Sequence, residues 1–294
     1  MEPQEILAAL DEPYAPYQRE AVEAAVAQQG AVTPWLLARL RSLAAEPRQW
    51  LDEPGPGAIY LLVLLAHFQE PRAHRDLLSL ASLPEELAEP LLGDAITELL
   101  APALWATSGG ETTGLRALAQ DRSAYGFGRG AAIDALVMAV HRGELEAEGV
   151  KADLAEWLAD DRFAAPGDPA WGCLMFGLLS LYAEEQGELM RRRASEGYLQ
   201  PEDEREMDFV FGHDREEWLA EERRSTERRF PADVHDYLAN WASLQPGFWD
   251  EPEGQSPLPR QGPASKPAAP DPKKKKHKRK QQQKGRKANR KKRK

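Results

Sequence analysis

Apolar residues recur along this chain at helical spacing, and one run of them returns at a fixed interval. Ala132 to Val140 (Ala-Ile-Asp-Ala-Leu-Val-Met-Ala-Val) has counterparts beginning at Ala95 (Ala-Ile-Thr-Glu-Leu-Leu-Ala), Ala58 (Ala-Ile-Tyr-Leu-Leu-Val-Leu) and Ala21 (Ala-Val-Glu-Ala-Ala-Val-Ala). Each start lies 37 residues from the next. A period of that size, with small and branched apolar residues in matching columns, predicts stacked helical pairs. The expected fold is all-α, a HEAT-like α-solenoid with a disordered basic C-terminal tail.

Punctuation between the apolar runs places the elements. Residues 3 to 30 read as two helices divided at Asp11-Glu12-Pro13, because proline removes a donor and restricts the residue before it. Thr33-Pro34 is expected to open the next helix, with Trp35, Leu36, Leu40 and Leu43 on one face. Ala58 to Phe68 is apolar almost all round and belongs inside the stack, with Pro71 to Leu83 as its amphipathic partner. Leu83-Pro84-Glu85-Glu86 starts a short helix. Pro102 should kink or end the helix that carries Leu91 through Ala106. Ser108-Gly109-Gly110 turns the chain, and Thr112 or Thr113 is expected to cap the helix carrying Leu115 and Leu118. A fourth unit covers Gly130 to Arg142 and Val150 to Leu158. A fifth copy is due at position 169, where Pro166-Gly167-Asp168-Pro169 intervenes, and its apolar helix resumes from Trp171 to Tyr182. Glu188 to Gly197 is its charged partner. Pro201 to Trp241 then reads as a polar terminal cap anchored by Phe209, Phe211, Trp218, Leu219, Tyr237, Leu238 and Trp241.

Composition changes this picture at the C-terminus. Residues 1–250 are expected to form the repeat domain, 251–272 a proline-rich linker unable to bury enough apolar surface to order itself, and 273–294 a disordered polycation. That last segment holds Lys273, Lys274, Lys275, Lys276, Lys278, Arg279, Lys280, Lys284, Arg286, Lys287, Arg290, Lys291, Lys292, Arg293 and Lys294 and no acid. It takes fifteen of the 38 Lys and Arg residues, leaving 23 against all 48 Asp and Glu. A body near −25 thus carries a tail near +15 beneath a formal net charge of −10. The tail is a candidate polyanion-binding site for RNA, DNA or ribosomes, since flexible cations release counterions condensed on phosphates. It has no aromatic residue for base stacking. Lipid or acidic-protein contact and a purely solubilising or self-associating tail are the alternatives.

The single cysteine, Cys173, excludes an intramolecular disulfide and a Cys-rich zinc site, and fits a reducing, cytoplasmic setting. The acidic N-terminal stretch lacks the basic region and longer apolar run of an export signal. No apolar stretch reaches the roughly 20 residues needed to span a bilayer.

The stretch from about Leu83 to Glu185 resembles a family of bacterial helical-repeat proteins grouped as a domain of unknown function. The resemblance rests on Leu91-Leu92-Gly93-Asp94-Ala95-Ile96-Thr97-Glu98, on Ala131-Ala132-Ile133-Asp134-Ala135-Leu136, and on Trp171-Gly172 leading to Tyr182-Ala183-Glu184-Glu185. Many such proteins end in a cysteine-rich zinc motif similar to that of the SecA translocation motor. Here the cysteines are missing and the basic tail stands in their place, so zinc binding is not implied. The family implies no reaction.

Candidate chemistry in the body is sparse. Asp94 and Glu98 are four residues apart, hence on one helix face within the resembling stretch, and are candidate groove contacts. With a histidine they are also the basis of the alternative reading, an enzyme or metal-binding hydrolase built on the repeat groove. His67 and His141 end repeat helices at matching columns, where the helix C-terminus favours a positive charge. His213-Asp214 and His235-Asp236 contain ligand types for zinc or iron with nothing in their spacing to bring them together. Cys173 sits among Trp171, Leu174, Met175 and Phe176 as an inert thiol. Gly126-Phe127-Gly128-Arg129-Gly130 follows a helix instead of the strand a phosphate loop requires, and reads as a tight interhelical turn. The expectation is therefore a non-catalytic interaction scaffold with no metal and no cofactor. Its concave face would take a protein partner and its tail would contact nucleic acid or ribosomes.

Overall fold

The computed structural model describes residues 1–12, 15–51, 57–199, 201–229, 233–239 and 241–246. The linker and every tail residue from Lys273 to Lys294 lie outside them. Among the described residues all regular structure is helical. In chain order the helices are α1 (Pro3–Leu10), α2 (Arg19–Ala27), α3 (Gln29–Ala45), α4 (Pro47–Trp50), α5 (Gly57–His67) and α6 (His74–Ala81). Next come α7 (Glu85–Leu92), α8 (Ala95–Glu98), α9 (Leu100–Ser108), α10 (Thr113–Gln120), α11 (Gly126–His141) and α12 (Ala147–Ala159). The last five are α13 (Pro169–Ser180), α14 (Gly187–Ser195), α15 (Pro201–Phe211), α16 (Arg215–Arg229) and α17 (Val234–Leu238).

Two layers organise the body. In the inner one α5 packs on α9, α9 on α11 and α11 on α13; in the outer one α3 packs on α6, α6 on α10 and α12 on α14. Successive units are tied by bonds about one period long. Arg116 Nε donates to Asp153 Oδ2 at 2.7 Å across 37 residues, and the Tyr125 hydroxyl donates to Glu89 Oε2 at 2.9 Å across 36. The indole of Trp105 donates to Glu144 in the same manner. Ala21, Ala95 and Ala132 of the repeated register are all buried.

Three of the four inner helices end alike. Gln69, Gly143 and Tyr182 each stand two residues beyond an inner helix with φ of 49°, 72° and 49°. The next residue's N–H then reaches back five positions, Glu70 to the Leu65 carbonyl at 3.1 Å, Glu144 to Ala139 at 2.9 Å and Ala183 to Leu178 at 2.9 Å. This left-handed closure satisfies carbonyls that would otherwise be orphaned. Glycine meets the requirement at one site only, so Gln69 and Tyr182 carry a local strain that the repeat geometry imposes.

Several boundaries differ from the sequence expectation. Helix α3 starts at Gln29, and Thr33 does not cap it; the buried Thr33 Oγ1 donates to the Gln29 carbonyl at 2.7 Å from inside the helix. Burial of Val32 and Leu36 on one face holds the helix through Pro34, whose missing bond falls at exposed Gly30. The break ahead of Pro102 does occur, at Leu99 between α8 and α9, which puts the proline in the first turn of α9 where a donor is dispensable. Thr112 occupies the start of α10, but Glu111 Oε1 supplies the capping bond, to Thr113 N at 2.7 Å.

Gly126 to Gly130 is not a turn: it forms the first turns of α11. The glycines there serve close approach. A Cβ on Gly128 would overlap the Ala81 carbonyl, and one on Gly130 would overlap Cys173. Helix α11 can therefore sink between α6 and α13, where Ala132, Ala135, Leu136 and Ala139 are fully buried.

The segment expected to cap the array does so only in part. Helix α15 packs on α13 and α14, whereas α16 turns back onto α11 and α17 reaches α5. Helices α16 and α17 thus return along the inner layer towards the N-terminus, and Tyr17 N donates to the Leu244 carbonyl at 2.8 Å.

Candidate functional site

The inner face of the repeats meets the returning helices along a line of polar contacts, and α11 supplies its centre. Asp134, Met138 and His141 share one face of α11 by spacing. Asp134 Oδ2 receives Arg229 Nη1 at 2.7 Å, and His141 Nε2 lies 2.9 Å from Ser180 Oγ at the end of α13. Ser180 Oγ donates in turn to Glu222 Oε2 at 2.5 Å. Seven residues separate Asp134 from His141 and seven separate Glu222 from Arg229, in opposite senses, so α16 lies antiparallel along the C-terminal half of α11. Near its start, Trp218 Nε1 donates to the Leu179 carbonyl at 3.0 Å. Asp214 Oδ1 caps the helix by accepting from Glu216 N and Glu217 N at 2.9 and 3.0 Å.

The line continues through α17, which Asp233 caps through His235 N at 2.8 Å. The Tyr237 hydroxyl donates to the Glu98 carbonyl at 3.2 Å. His235 pairs with the Tyr17 hydroxyl and lies 3.7 Å from Glu23. Burial pushes the Tyr17 hydroxyl up to about 12, so it remains protonated. Between α5, α9 and these helices is a cavity of about 270 Å³. Leu62, Val63, Leu99 and Pro102 form apolar walls, with His67, Arg142, Arg229 and Tyr237 around them.

Burial shifts the titration of the groups along this line. Burial, reinforced by nearby Arg223, drives the His141 imidazole down to about 4, so it is neutral at pH 7 despite ending a helix. Desolvation outweighs the favourable end of the helix dipole. Burial also raises the Glu222 carboxyl. With Glu222 ionised, the Ser180 proton points to the carboxylate and Nε2–H donates to Oγ.

Asp94 and Glu98 are both exposed, one turn apart, at the start and end of α8. Glu98 belongs to the contact line through its carbonyl, and its charge acts on Arg229 beside Asp134. Asp94 begins α8 without a side-chain capping bond. His67 is exposed and borders the cavity, His213 is held by the Phe209 carbonyl, and His235 lies on another element against Tyr17. Among the described residues no group of three or more His, Cys, Asp or Glu stands where it could hold a metal ion. Cys173 is half-buried against Gly130. Sequence reasoning missed Asp134, Ser180, Glu222 and Arg229. One signal was legible: Asp134 is a lone acid inside an apolar helix, at the column Glu23 holds in the first copy.

The comparisons with known proteins show a family. A family described as a protein of unknown function, DUF1186, matches residues 1–245, from before α1 through the segment after α17. The chain belongs to this family. The match extends well beyond the stretch from Leu83 to Glu185 that carried the resemblance. Two relatives, each bearing the description "Uncharacterized protein", come from Chlamydia trachomatis serovar D and Chlamydia muridarum. They are 29% and 28% identical over 168 residues, covering 57% of this chain and 66% and 67% of their own length. No solved structure matches the chain. Among the described residues no helix is long and apolar enough to cross a membrane.

Proposed function

We propose that this DUF1186 protein is a non-catalytic cytoplasmic scaffold, a HEAT-like stack of helical pairs that binds protein through its inner face and polyanionic nucleic acid through its tail. One observation carries the second half: fifteen cations and no acid within residues 273–294, on a chain whose other residues hold 48 acids against 23 bases. Such segregation keeps the body off phosphate backbones and leaves the tail as the contact. Affinity of that kind is governed by counterion release, with a log–log salt slope of about −0.7 per neutralised phosphate for single strands. The absence of aromatic side chains from the tail favours binding without sequence preference.

The test compares the full chain with a full-length variant whose tail lysines and arginines are all glutamine, using fluorescence anisotropy on single-stranded RNA and duplex DNA across a salt series. Steep salt dependence in the native chain and none in the variant is expected. Indistinguishable, salt-insensitive curves would overturn the reading and leave the tail a solubilising or self-associating segment.

A further inference from the structure

The helix that covers the inner face is poorly suited to being a permanent part of the core. Helix α16 reads Arg-Glu-Glu-Trp-Leu-Ala-Glu-Glu-Arg-Arg-Ser-Thr-Glu-Arg-Arg, and Thr226 is its one buried residue. The surface beneath belongs to the mostly buried helix α11 and to the C-terminal end of α13. Directed polar contacts therefore hold α16 in place, with the partly buried Trp218 and Leu219 as its main apolar support. Elements held this way open at low local cost.

Those contacts form a pattern. Trp218, Glu222 and Arg229 stand at i, i+4 and i+11, one face of one helix, and meet the Leu179 carbonyl, the Ser180 hydroxyl and the Asp134 carboxylate. A carbonyl, a hydroxyl and a carboxylate in a row, over apolar helices, make a recognition groove of the helix-in-groove kind. The charges are complementary, since Asp134 and neighbouring Glu98 both act on the arginine.

We propose that the groove between α11 and α13 is a docking site for a charged helix of a partner protein, one presenting an indole, an acid and an arginine at this spacing. Helix α16 is then a resident copy of that ligand, and the partner must displace it. This rests on the scaffold reading of the inner face and names its ligand class. A groove occupied in cis lowers the apparent affinity for a ligand in trans by the fraction of molecules that are open.

The two ends of the Arg229–Asp134 pair separate this proposal from a merely structural contact. The probe is a fluorescent peptide with the sequence of residues 214–229, whose acids and bases nearly balance, so nonspecific attraction to either the body or the tail is small. Arg229→Gln frees the resident helix and leaves the groove intact, and should tighten peptide binding by about tenfold. Asp134→Asn frees the helix equally but removes the groove's acid, and should gain nothing. Trp218→Phe serves as a second release variant, and circular dichroism melts confirm that each chain is folded. A peptide carrying glutamine in place of its last arginine should bind the Arg229→Gln chain more weakly. Equal binding by the Arg229→Gln and Asp134→Asn chains, or none by any folded release variant, overturns the proposal. So does dimerisation of the released chains that excludes the peptide, which would give the groove to a second copy. The peptide reads the groove and polyanion binding reads the tail, so either can fail alone.

Discussion

His141 Nε2 and Ser180 Oγ meet at 2.9 Å at the ends of two adjacent inner helices, with the imidazole buried and its pKa driven down to about 4. The unfolded chain would hold this histidine near 6.5. Between those values the unfolded state binds more protons than the folded one, so stability contributed by neutral His141 is complete above about 6.5 and is lost as pH falls towards 4. The full loss is on the order of 3 kcal/mol. Glu222 acts in the opposite sense: its raised carboxyl favours the folded state at low pH, and that contribution fades as pH rises through the folded value. His141→Gln removes the first effect alone. Urea midpoints measured from pH 7 to pH 4 should therefore fall less steeply in the variant than in the native chain. Parallel pH profiles would show that His141 is not neutral in the fold.

Close approach at α11 gives a second prediction. Gly128→Ala places a methyl group on the backbone carbonyl of Ala81, which cannot rotate away, and should destabilise the fold by about 2–3 kcal/mol. Gly149→Ala is the control, in α12 with open space around it, and should stabilise by about 0.5 kcal/mol. Thermal melts of the two variants should move in opposite directions.

Arg129 gives a third. The residue is 1% exposed, and its guanidinium lies 4.2 Å over the Phe163 ring and donates to the carbonyls of Ala119 at 2.9 Å and Phe163 at 2.8 Å. It thereby closes the C-terminal end of α10 and fixes the loop after α12. Arg129→Met leaves two carbonyls without their donor, at about 3 kcal/mol. Arg129→Lys should rescue less than half of that loss, because an ammonium cannot reproduce the planar fork. Denaturant unfolding measures both, and full rescue by lysine would show that charge alone is what the site requires.

Legibility in the sequence followed the kind of force at work. The inner helices were readable because Ala58 to Phe68, Ala132 to Val140 and Trp171 to Tyr182 are apolar runs at a repeating interval, and burial of such runs is a local property of composition. The break at Leu99 was readable because proline acts within four residues. The start of α3 was misjudged because Thr33-Pro34 has the local chemistry of a helix start, while tertiary burial of Val32 and Leu36 carried the helix through it. Gly126 to Gly130 was misjudged for a related reason. Glycine permits a turn, but it equally permits two backbones to touch, and only the neighbour at Ala81 decides between them.

By itself the sequence determined the helical class, the 37-residue register and the charge divided between body and tail, all of which depend on residue type and spacing alone. Only the tertiary structure decided that α16 returns over α11. Its Glu- and Arg-rich sequence carries almost no apolar stripe, so nothing local says which surface it should cover. The partners that fix it, Asp134, Ser180 and the Leu179 carbonyl, lie between 39 and 95 residues away in the chain. Folding brought them together by packing the end of α13 beside α11, and that tertiary contact is what places three separate polar groups under one helix.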